Sequence, residues 1–413
     1  MELDQSVRAL PGGLTPEVFR RRYAVVGLGV TNPIGRGDGR YSARAYQAEA
    51  ARLAIADAGL QPQDIDGAIN ARGEGGGGGN GAWTDAFPRV LGLPVKLYWH
   101  VGRGGSPAAI GFTAAAMALE LGLAKYVVVA VGADGWAGRH LVARGDEANS
   151  RPGRWGAWAG DVTAMSHHAF FATRHMHEFG TTSEQLGSIA VQVREWACKN
   201  PEAAMYARGP ISMEDYLNSR WVVKPYHIFD CCQQSDGGIA YVLTTADRAR
   251  DLKHDPVWVM GVGYGDHMRE LWWNKENYTA LDVQAARDDA FRLAGIELGD
   301  IDIALLYDCF TAEVLFQLEG YGWAAKGQGG PFVASGAIGP GGSIPVNTGG
   351  GLLSAYHLFD FTGFAEGVRQ LRRDPQCAGR QIPDAEVCLV TGHGGEVLRP
   401  GMCSSHSSLI LGR

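Results

Sequence analysis

Four side chains suited to proton chemistry fall in two stretches of this sequence. Residues 306–310 (LYDCF) place Tyr307, with Asp308 beside it, at the end of an apolar run. Residues 343–351 (SIPVNTGGG) read as a short apolar strand entering a run of glycines, and the helix-like segment beyond carries Tyr356 and His357. Tyrosine's ordinary pKa is about 10, so a base role needs neighbours that favour phenolate or a relay that takes its proton. Asp308 and His357 sit next to the tyrosines in sequence and are candidates for that help. Asn347, Gly349, Gly350 and Gly351 form the turn itself. With no Cβ in the way, glycine lets backbone N–H groups approach a ligand closely, so the turn is expected to cradle one. Residues 391–395 (TGHGG) offer a second glycine loop, with His393, Gly394 and Gly395 as binding candidates. The two tyrosine stretches are expected to face each other across one site.

Holding such a site takes a large fold. The 413 residues suffice for one large core or two domains. A hydrophobic share of 46% with 20% charged residues is that of an ordinary globular protein. The net charge of −7 leaves no electrostatic footprint for nucleic acid. Seven cysteines without a CxxC pair or a Cys/His zinc spacing argue against both a metal site and a complete disulfide framework. His167 and His168 are adjacent and point to different faces, so they read as satisfied histidines rather than ligands. The N-terminus lacks a signal-peptide pattern, and no apolar run approaches the ~20 residues that span a bilayer. The expectation is a soluble, cytoplasmic protein that binds neither nucleic acid nor membrane.

Along the chain, β-type apolar runs alternate with helical patterns. Residues 23–30 (YAVVGLGV) read as a buried strand, 42–59 as a helix ended by Gly59, and 108–121 as an Ala-rich helix that packs closely on its neighbours. Residues 126–131 (YVVVAV) have the continuous Val pattern of a strand covered on both faces. Residues 73–81 are almost all glycine and read as a flexible loop, with a ligand-covering loop as the alternative. The second half then repeats the first. Ala-Gly followed by Asp-Ile-Asp recurs at a constant offset of 236 residues, Gly59 to Gly295 and Ile65 to Ile301. A strand–helix–strand unit repeated at that distance predicts two similar α/β halves. The expected class is α/β: a duplicated five-layer α-β-α-β-α fold whose middle layer is two Ala/Gly-rich helices. The halves are drawn at 1–250 and 251–413, with a Trp- and His-rich helical loop region inserted at about 139–224.

The duplicated halves, the DCCQQSDGG segment at 230–238 and the NTGGG turn at 347–351 resemble the thiolase superfamily. The stretches HEFGTTSEQL (177–186), ACKNPEA (197–203), SRWVVKP (219–225) and YDCFTAEVLFQLEGYG (307–322) narrow the resemblance to its sterol-carrier-protein and lipid-transfer branch. Thiolases carry a nucleophilic cysteine just before the central helix of the N-terminal half. Here that turn reads Arg103-Gly104-Gly105-Ser106, and the cysteine position holds Gly105. Without a thiolate the usual covalent acyl-enzyme route is lost, and Ser106 replaces it only if a base activates the hydroxyl. The second family cysteine is absent from 391–395. Tyr307 stands first in the family's HDCF motif, Tyr356 takes the glycine of its G-H-P motif, and His357 keeps the histidine.

That pattern resembles the steroid side-chain aldolases of bacterial sterol and bile-acid catabolism. The resemblance implies retro-aldol cleavage of a bulky, steroid-type 3-hydroxyacyl-CoA to a ketone and a short acyl-CoA. It also implies a homodimer working with an OB-fold/zinc-ribbon partner, no cofactor beyond the CoA of the substrate, and no metal. Tyr307 and Tyr356 would act as base and acid, with Asp308 and His357 participating and the glycine N–H groups serving as oxyanion donors. Two alternatives stand beside it: a thiolase-type acyltransferase with a different nucleophile, and a non-catalytic acyl-CoA- or lipid-binding subunit.

Overall fold

A computed structural model describes residues 15–32, 34–35, 41–71, 86–102, 104–135, 164–266, 277–394 and 405–413. Arg103, Gly395 and the glycine run 73–81 lie outside the described residues.

The N-terminal half builds five strands: β1 (Tyr23–Val30), β2 (Gly67–Asn70), β3 (Leu97–His100), β4 (Val127–Asp134) and, after two short strands β5 (Trp221–Val223) and β6 (Tyr226–His227), β7 (Asp236–Thr245). They line up in the order β3-β2-β4-β7-β1. The C-terminal half supplies β8 (Val257–Asp266), β9 (Ile303–Leu305), β10 (Val387–Gly394) and β11 (Ser405–Gly412), continuing the sheet as β8-β11-β10-β9. The two halves meet where β1 runs antiparallel to β8, through Ala24 opposite Trp258 and Val25 opposite Val257. The second half thus mirrors the first about that seam. The counterpart of β3 is reduced to a single parallel bridge between Ala304 and Val346.

The helices follow the same duplication. Helices α1 (Ala43–Asp57) and α5 (Val283–Ala294) cover the outer faces of their own halves, while α2 (Pro107–Glu120) and α7 (Asp360–Arg372) pack on each other between the halves. These are the five expected layers. The repeat seen in sequence has a physical basis. Gly59 and Gly295 both end their helices in the left-handed region, at φ 73° and 57°. Close approach explains the paired strand glycines. A Cβ on Gly27 or Gly29 would stand 2.1 Å from a carbonyl oxygen of α1, and one on Gly261 or Gly263 2.2 or 2.0 Å from one of α5. Between β4 and β7 lie α3 (Ala164–Phe179) and α4 (Ser183–Ala197), with a Thr182–Gln185 capping box at the start of α4. Helix α6 (Thr311–Tyr321) follows the Tyr307 stretch.

One local expectation fails. Tyr356 and His357 do not lie on a helix. Gly351–Ala355 form a single π-turn, and Tyr356 leaves it extended, at φ −159° and ψ 153°. Helix α7 begins only at Asp360, after Phe359 at a positive φ of 58°.

Candidate active site

Tyr307 sits at the end of β9, where the chain turns into α6, and its backbone is held on both sides. Its N–H donates to Thr391 Oγ1 on β10 (2.8 Å), and its carbonyl accepts from Gln317 Nε2 on α6 (2.8 Å). Thr391 in turn donates to Gln317 Oε1 (2.5 Å), closing the loop. The phenol hydroxyl lies 3.0 Å from His357 Nε2, and His357 Nδ1 lies 3.5 Å from Cys232 Sγ. Burial pushes the Tyr307 hydroxyl well above its ordinary range, so it is a phenol at rest. Burial likewise lowers His357 to about 4, which leaves the imidazole neutral.

The cysteine position of the thiolase pattern is physically closed. A Cβ on Gly105 would stand 2.1 Å from the His393 carbonyl oxygen, 2.3 Å from Tyr307 Cζ and 2.5 Å from its hydroxyl. Tyr307 therefore occupies the space a nucleophilic side chain would need. Next to it, the buried Asp360 carboxylate accepts from the N–H groups of Ala108 (2.8 Å) and Ala109 (3.0 Å), the free amides at the N-terminus of α2. Burial raises Asp360 to about 8 against the pull of those bonds. Ser106 is no substitute nucleophile: it is 3% exposed and its hydroxyl makes no hydrogen bond to the described residues.

Tyr356 is placed differently from Tyr307. Successive extended residues project to opposite sides, so while His357 meets Tyr307, Tyr356 turns towards the charged groups of Arg369 and Glu202. Its hydroxyl makes no hydrogen bond to the described residues, although the residue is only 4% exposed. Both tyrosines border one partly open pocket of about 20 Å³, together with Asp308, Asn347, Asp360 and Glu366. That is room for roughly one water.

The glycine turn and Asp308 have structural duties that sequence did not reveal. Asp308 does not face the Tyr307 hydroxyl. Its carboxylate accepts from Leu352 N (2.7 Å) and Leu353 N (3.4 Å) at the start of the π-turn, and burial raises it to about 7. Gly351 is glycine because a Cβ would strike that carboxylate at 2.1 Å, and Gly350 because a Cβ would meet Ala197 of α4 at 2.7 Å. The Gly350 amide is already bonded to Asn347 O (2.8 Å), while Asn347 Nδ2 ties the loop to Leu306 O (2.9 Å). Gly349 O accepts from Asn200 Nδ2 (2.8 Å). The amides of Gly350, Leu352 and Leu353 are engaged within the protein, so these three N–H groups serve the packing of the turn. Gly394 also packs tightly, since its Cβ would stand 2.6 Å from Gly105 N.

The DCCQQS segment proves to be the stitch between these loops. Asp230 accepts from Tyr216 and Thr311 hydroxyls and from His227 N. Cys232 N donates to Cys309 O (2.9 Å), Gln233 N to Leu352 O (2.9 Å), and His357 N to Ser235 Oγ (2.8 Å). The segment was visible in sequence, but which loops it joins depends on contacts over 70 residues away.

His393 joins a buried cluster that sequence reading missed. His168 Nδ1 lies 2.6 Å from Glu313 Oε1, and His393 Nε2 3.6 Å from Glu313 Oε2. Burial alone would raise Glu313, yet the two imidazoles hold it below the usual carboxylate range. The three ligand atoms lie within 4.8 Å of one another. The residues fit a metal poorly. Two ligands of a tetrahedral zinc stand about 3.3 Å apart, and the His168–Glu313 distance is instead that of a charge-assisted hydrogen bond. Helix α3 thus brings His168 a carboxylate partner that its sequence neighbourhood lacks.

Comparison with known proteins places this geometry. Residues 266–413 match the thiolase C-terminal domain-like family. The chain is 38% identical over 367 residues to the steroid side-chain-cleaving aldolase of Thermomonospora curvata, covering 84% of this chain and 90% of that protein. The chain belongs to the thiolase-like aldolase family. It is 35% identical over 362 residues to the 17-hydroxy-3-oxo-4-pregnene-20-carboxyl-CoA lyase of Mycobacterium tuberculosis, covering 84% and 91% of the two chains. The solved Ltp2-ChsH2(DUF35) aldolase superposes with a TM-score of 0.81 at 34% identity, covering 96% of this chain and 98% of that one. The aldolase family member described here is accordingly an enzyme of the carbon–carbon lyase class, on a mixed α/β thiolase-like fold. Among the described residues no helix is long and apolar enough to cross a membrane.

Proposed function

We propose that this aldolase cleaves the side chain of a bulky, steroid-type 3-hydroxyacyl-CoA by a retro-aldol reaction, giving a ketone and a short acyl-CoA. The observation that carries the reading is Tyr307 filling the space at Gly105 while bonded to His357. A retro-aldol step needs no covalent enzyme intermediate. It needs a base for the hydroxyl proton, stabilisation of the enolate oxygen, and return of a proton to carbon.

A buried phenol is a poor base alone, so Tyr307 acts through His357. It accepts the substrate hydroxyl proton as its own passes to Nε2. The O–H electrons become the new carbonyl bond, the Cα–Cβ bond breaks, and its electron pair moves onto the thioester as enolate. His357 holds a proton weakly at a pKa of about 4 and sends it back through Tyr307 to Cα. The reaction is proton-neutral, so one pair serves both directions. Tyr356, whose hydroxyl is unengaged, is the donor for the enolate oxygen on this reading.

By similarity to the Ltp2-ChsH2(DUF35) aldolase, the proposal includes a heterocomplex with a DUF35-type partner chain; the homodimer, the OB-fold/zinc-ribbon character of that partner, the cytoplasmic location and the lack of a cofactor beyond the substrate's CoA rest on the sequence resemblance alone. The acyltransferase alternative loses support because no Cβ fits at residue 105 and the Ser106 hydroxyl meets no base among the described residues. The decisive experiment incubates the purified chain, with and without its partner, with a steroid-type 3-hydroxyacyl-CoA and quantifies ketone and short acyl-CoA. Tyr307→Phe and Tyr356→Phe are each expected to lower turnover roughly a hundredfold with little loss of stability. An acyl-enzyme trapped by mass spectrometry, or near-wild-type turnover in both variants, overturns the reading.

A further inference from the structure

We infer that Cys232 is a positioning residue that fixes the tautomer of His357, by accepting a hydrogen bond from Nδ1–H and so leaving the Nε2 lone pair for the Tyr307 hydroxyl. The inference rests on the proton-relay reading above and names a member of that relay which neither the glycine loops nor the tyrosines disclose.

The geometry is a linear chain: Cys232 Sγ, 3.5 Å to His357 Nδ1, then from Nε2 3.0 Å to the Tyr307 hydroxyl. A neutral imidazole carries one N–H, and the bond made by one nitrogen decides the role of the other. Two arrangements satisfy the chain. In the first, Tyr307 O–H donates to Nε2 and Nδ1–H donates to sulfur. In the second, Cys232 S–H donates to Nδ1 and Nε2–H donates to Tyr307. A phenol O–H is a far better donor than a thiol, and imidazole nitrogen a better acceptor than phenol oxygen, so the first arrangement makes the stronger pair. It is also the only one in which His357 can receive a proton from Tyr307.

The surroundings hold this geometry in place. Cys232 N is bonded to Cys309 O and His357 N to Ser235 Oγ, so both residues hang from one stitched segment. Burial raises the Cys232 thiol to about 12, so it is no nucleophile at neutral pH. The imidazole also packs edge-on to Phe359 and to Tyr307, which restricts its ring orientation.

The test uses the full-length enzyme with its partner, and three substitutions at Cys232. Cys232→Val keeps the bulk and removes the acceptor, Cys232→Ala removes both, and Cys232→Ser restores an acceptor. The expectation is that Val and Ala each lower kcat about tenfold with KM nearly constant and a shifted pH profile, while Ser recovers most of the rate. Long-range 1H–15N spectra of 15N-histidine protein read the tautomer directly, with His357→Gln identifying the resonance. Wild type should show Nδ1–H, and Cys232→Val a mixture. Wild-type kcat in all three variants, equal recovery by Val and Ser, or an unchanged tautomer in Cys232→Val overturns the inference. Tyr307→Phe measured alongside separates the two claims. If it is inactive while the Cys232 variants are normal, only the Cys232 role falls; if it is fully active, the relay itself falls and this role with it.

Discussion

Adding one methyl group at Gly105 tests the site more sharply than removing any side chain. In Gly105→Ala the new carbon would lie 2.1 Å from the His393 carbonyl oxygen and 2.3 Å from Tyr307 Cζ. Neither neighbour is free to retreat. His393 is paired with His406 of β11 at the next-to-last rung of the β10 ladder, just before Gly394, and Tyr307 is tied by its amide, its carbonyl and its hydroxyl. Overpacking a well-filled interior costs about 1–3 kcal/mol, and two immovable partners put this site at the upper end. At about 2–4 °C per kcal/mol for a large domain, the melting temperature should fall by roughly 6–12 °C. Thermal unfolding followed by aldolase turnover per folded protein gives both readouts. Gly105→Ala/Tyr307→Gly separates the two clashes. It removes the ring but leaves the His393 carbonyl, so it should stay destabilised relative to Tyr307→Gly alone. A Gly105→Ala protein with wild-type melting and turnover would refute the claim that the nucleophile position is closed.

Three further outcomes follow from the same geometry. Cys309→Ala should retain activity, since its backbone carbonyl rather than its thiol makes the contact with Cys232; a loss of more than about tenfold in steady-state turnover would count against it. Asp360 is raised to about 8 when folded, so its contribution is fully present below pH ~4 and is lost as pH rises through 8. Urea unfolding should therefore show wild type losing stability relative to Asp360→Asn between pH 5 and about 8, and a pH-independent difference would contradict this. Glu313→Gln leaves His168 and His393 without their shared counter-charge and should destabilise the fold by about 3 kcal/mol or more, read in the same titrations; a change below about 1 kcal/mol would show the cluster is not ionised.

The sequence carried the scaffold well because duplication is written in local signals. Gly59 and Gly295 are helix stops, and the paired glycines of β1 and β8 are contact points with their helices, so each repeats with the element it serves. Tyr307 and His357 were also legible, since they replace or keep residues of recognisable motifs. What was hidden is pairwise. Asp308 and Asn347 look like site residues, and only the folded chain shows one capping the π-turn and the other pinning the loop. Asp360 is the unremarked first residue of α7 and gains its meaning from α2, about 250 residues earlier. His168, Glu313 and His393 come from three elements with no shared spacing. The helical placement of Tyr356 failed for a local reason: the π-turn consumes five residues and leaves the chain extended at Tyr356.

The loss of the nucleophile and the gain of the tyrosine are one change rather than two. A helix N-terminus concentrates partial positive charge and lowers the pKa of a thiol placed there, and α2 offers that terminus beside residue 105. With glycine at 105, the unoccupied volume would be a hole and the free amides of Ala108 and Ala109 would be buried donors, a cost of about 1–3 kcal/mol each if unmet. Tyr307 fills the first need and Asp360 the second. A cysteine restored at 105 would meet the Tyr307 ring, and with the ring removed it would find the amides of the helix terminus already occupied by Asp360. Even with both cleared, the His393 carbonyl stands within 2.1 Å of the new Cβ. Return to acyl transfer therefore requires at least Gly105→Cys, a small residue at 307, loss of the Asp360 carboxylate and a shift of β10 together, and each step taken alone lowers stability or gains no thiolate. That interdependence is the physical reason the proposed lyase chemistry runs through a phenol–imidazole pair and not through a thiolate.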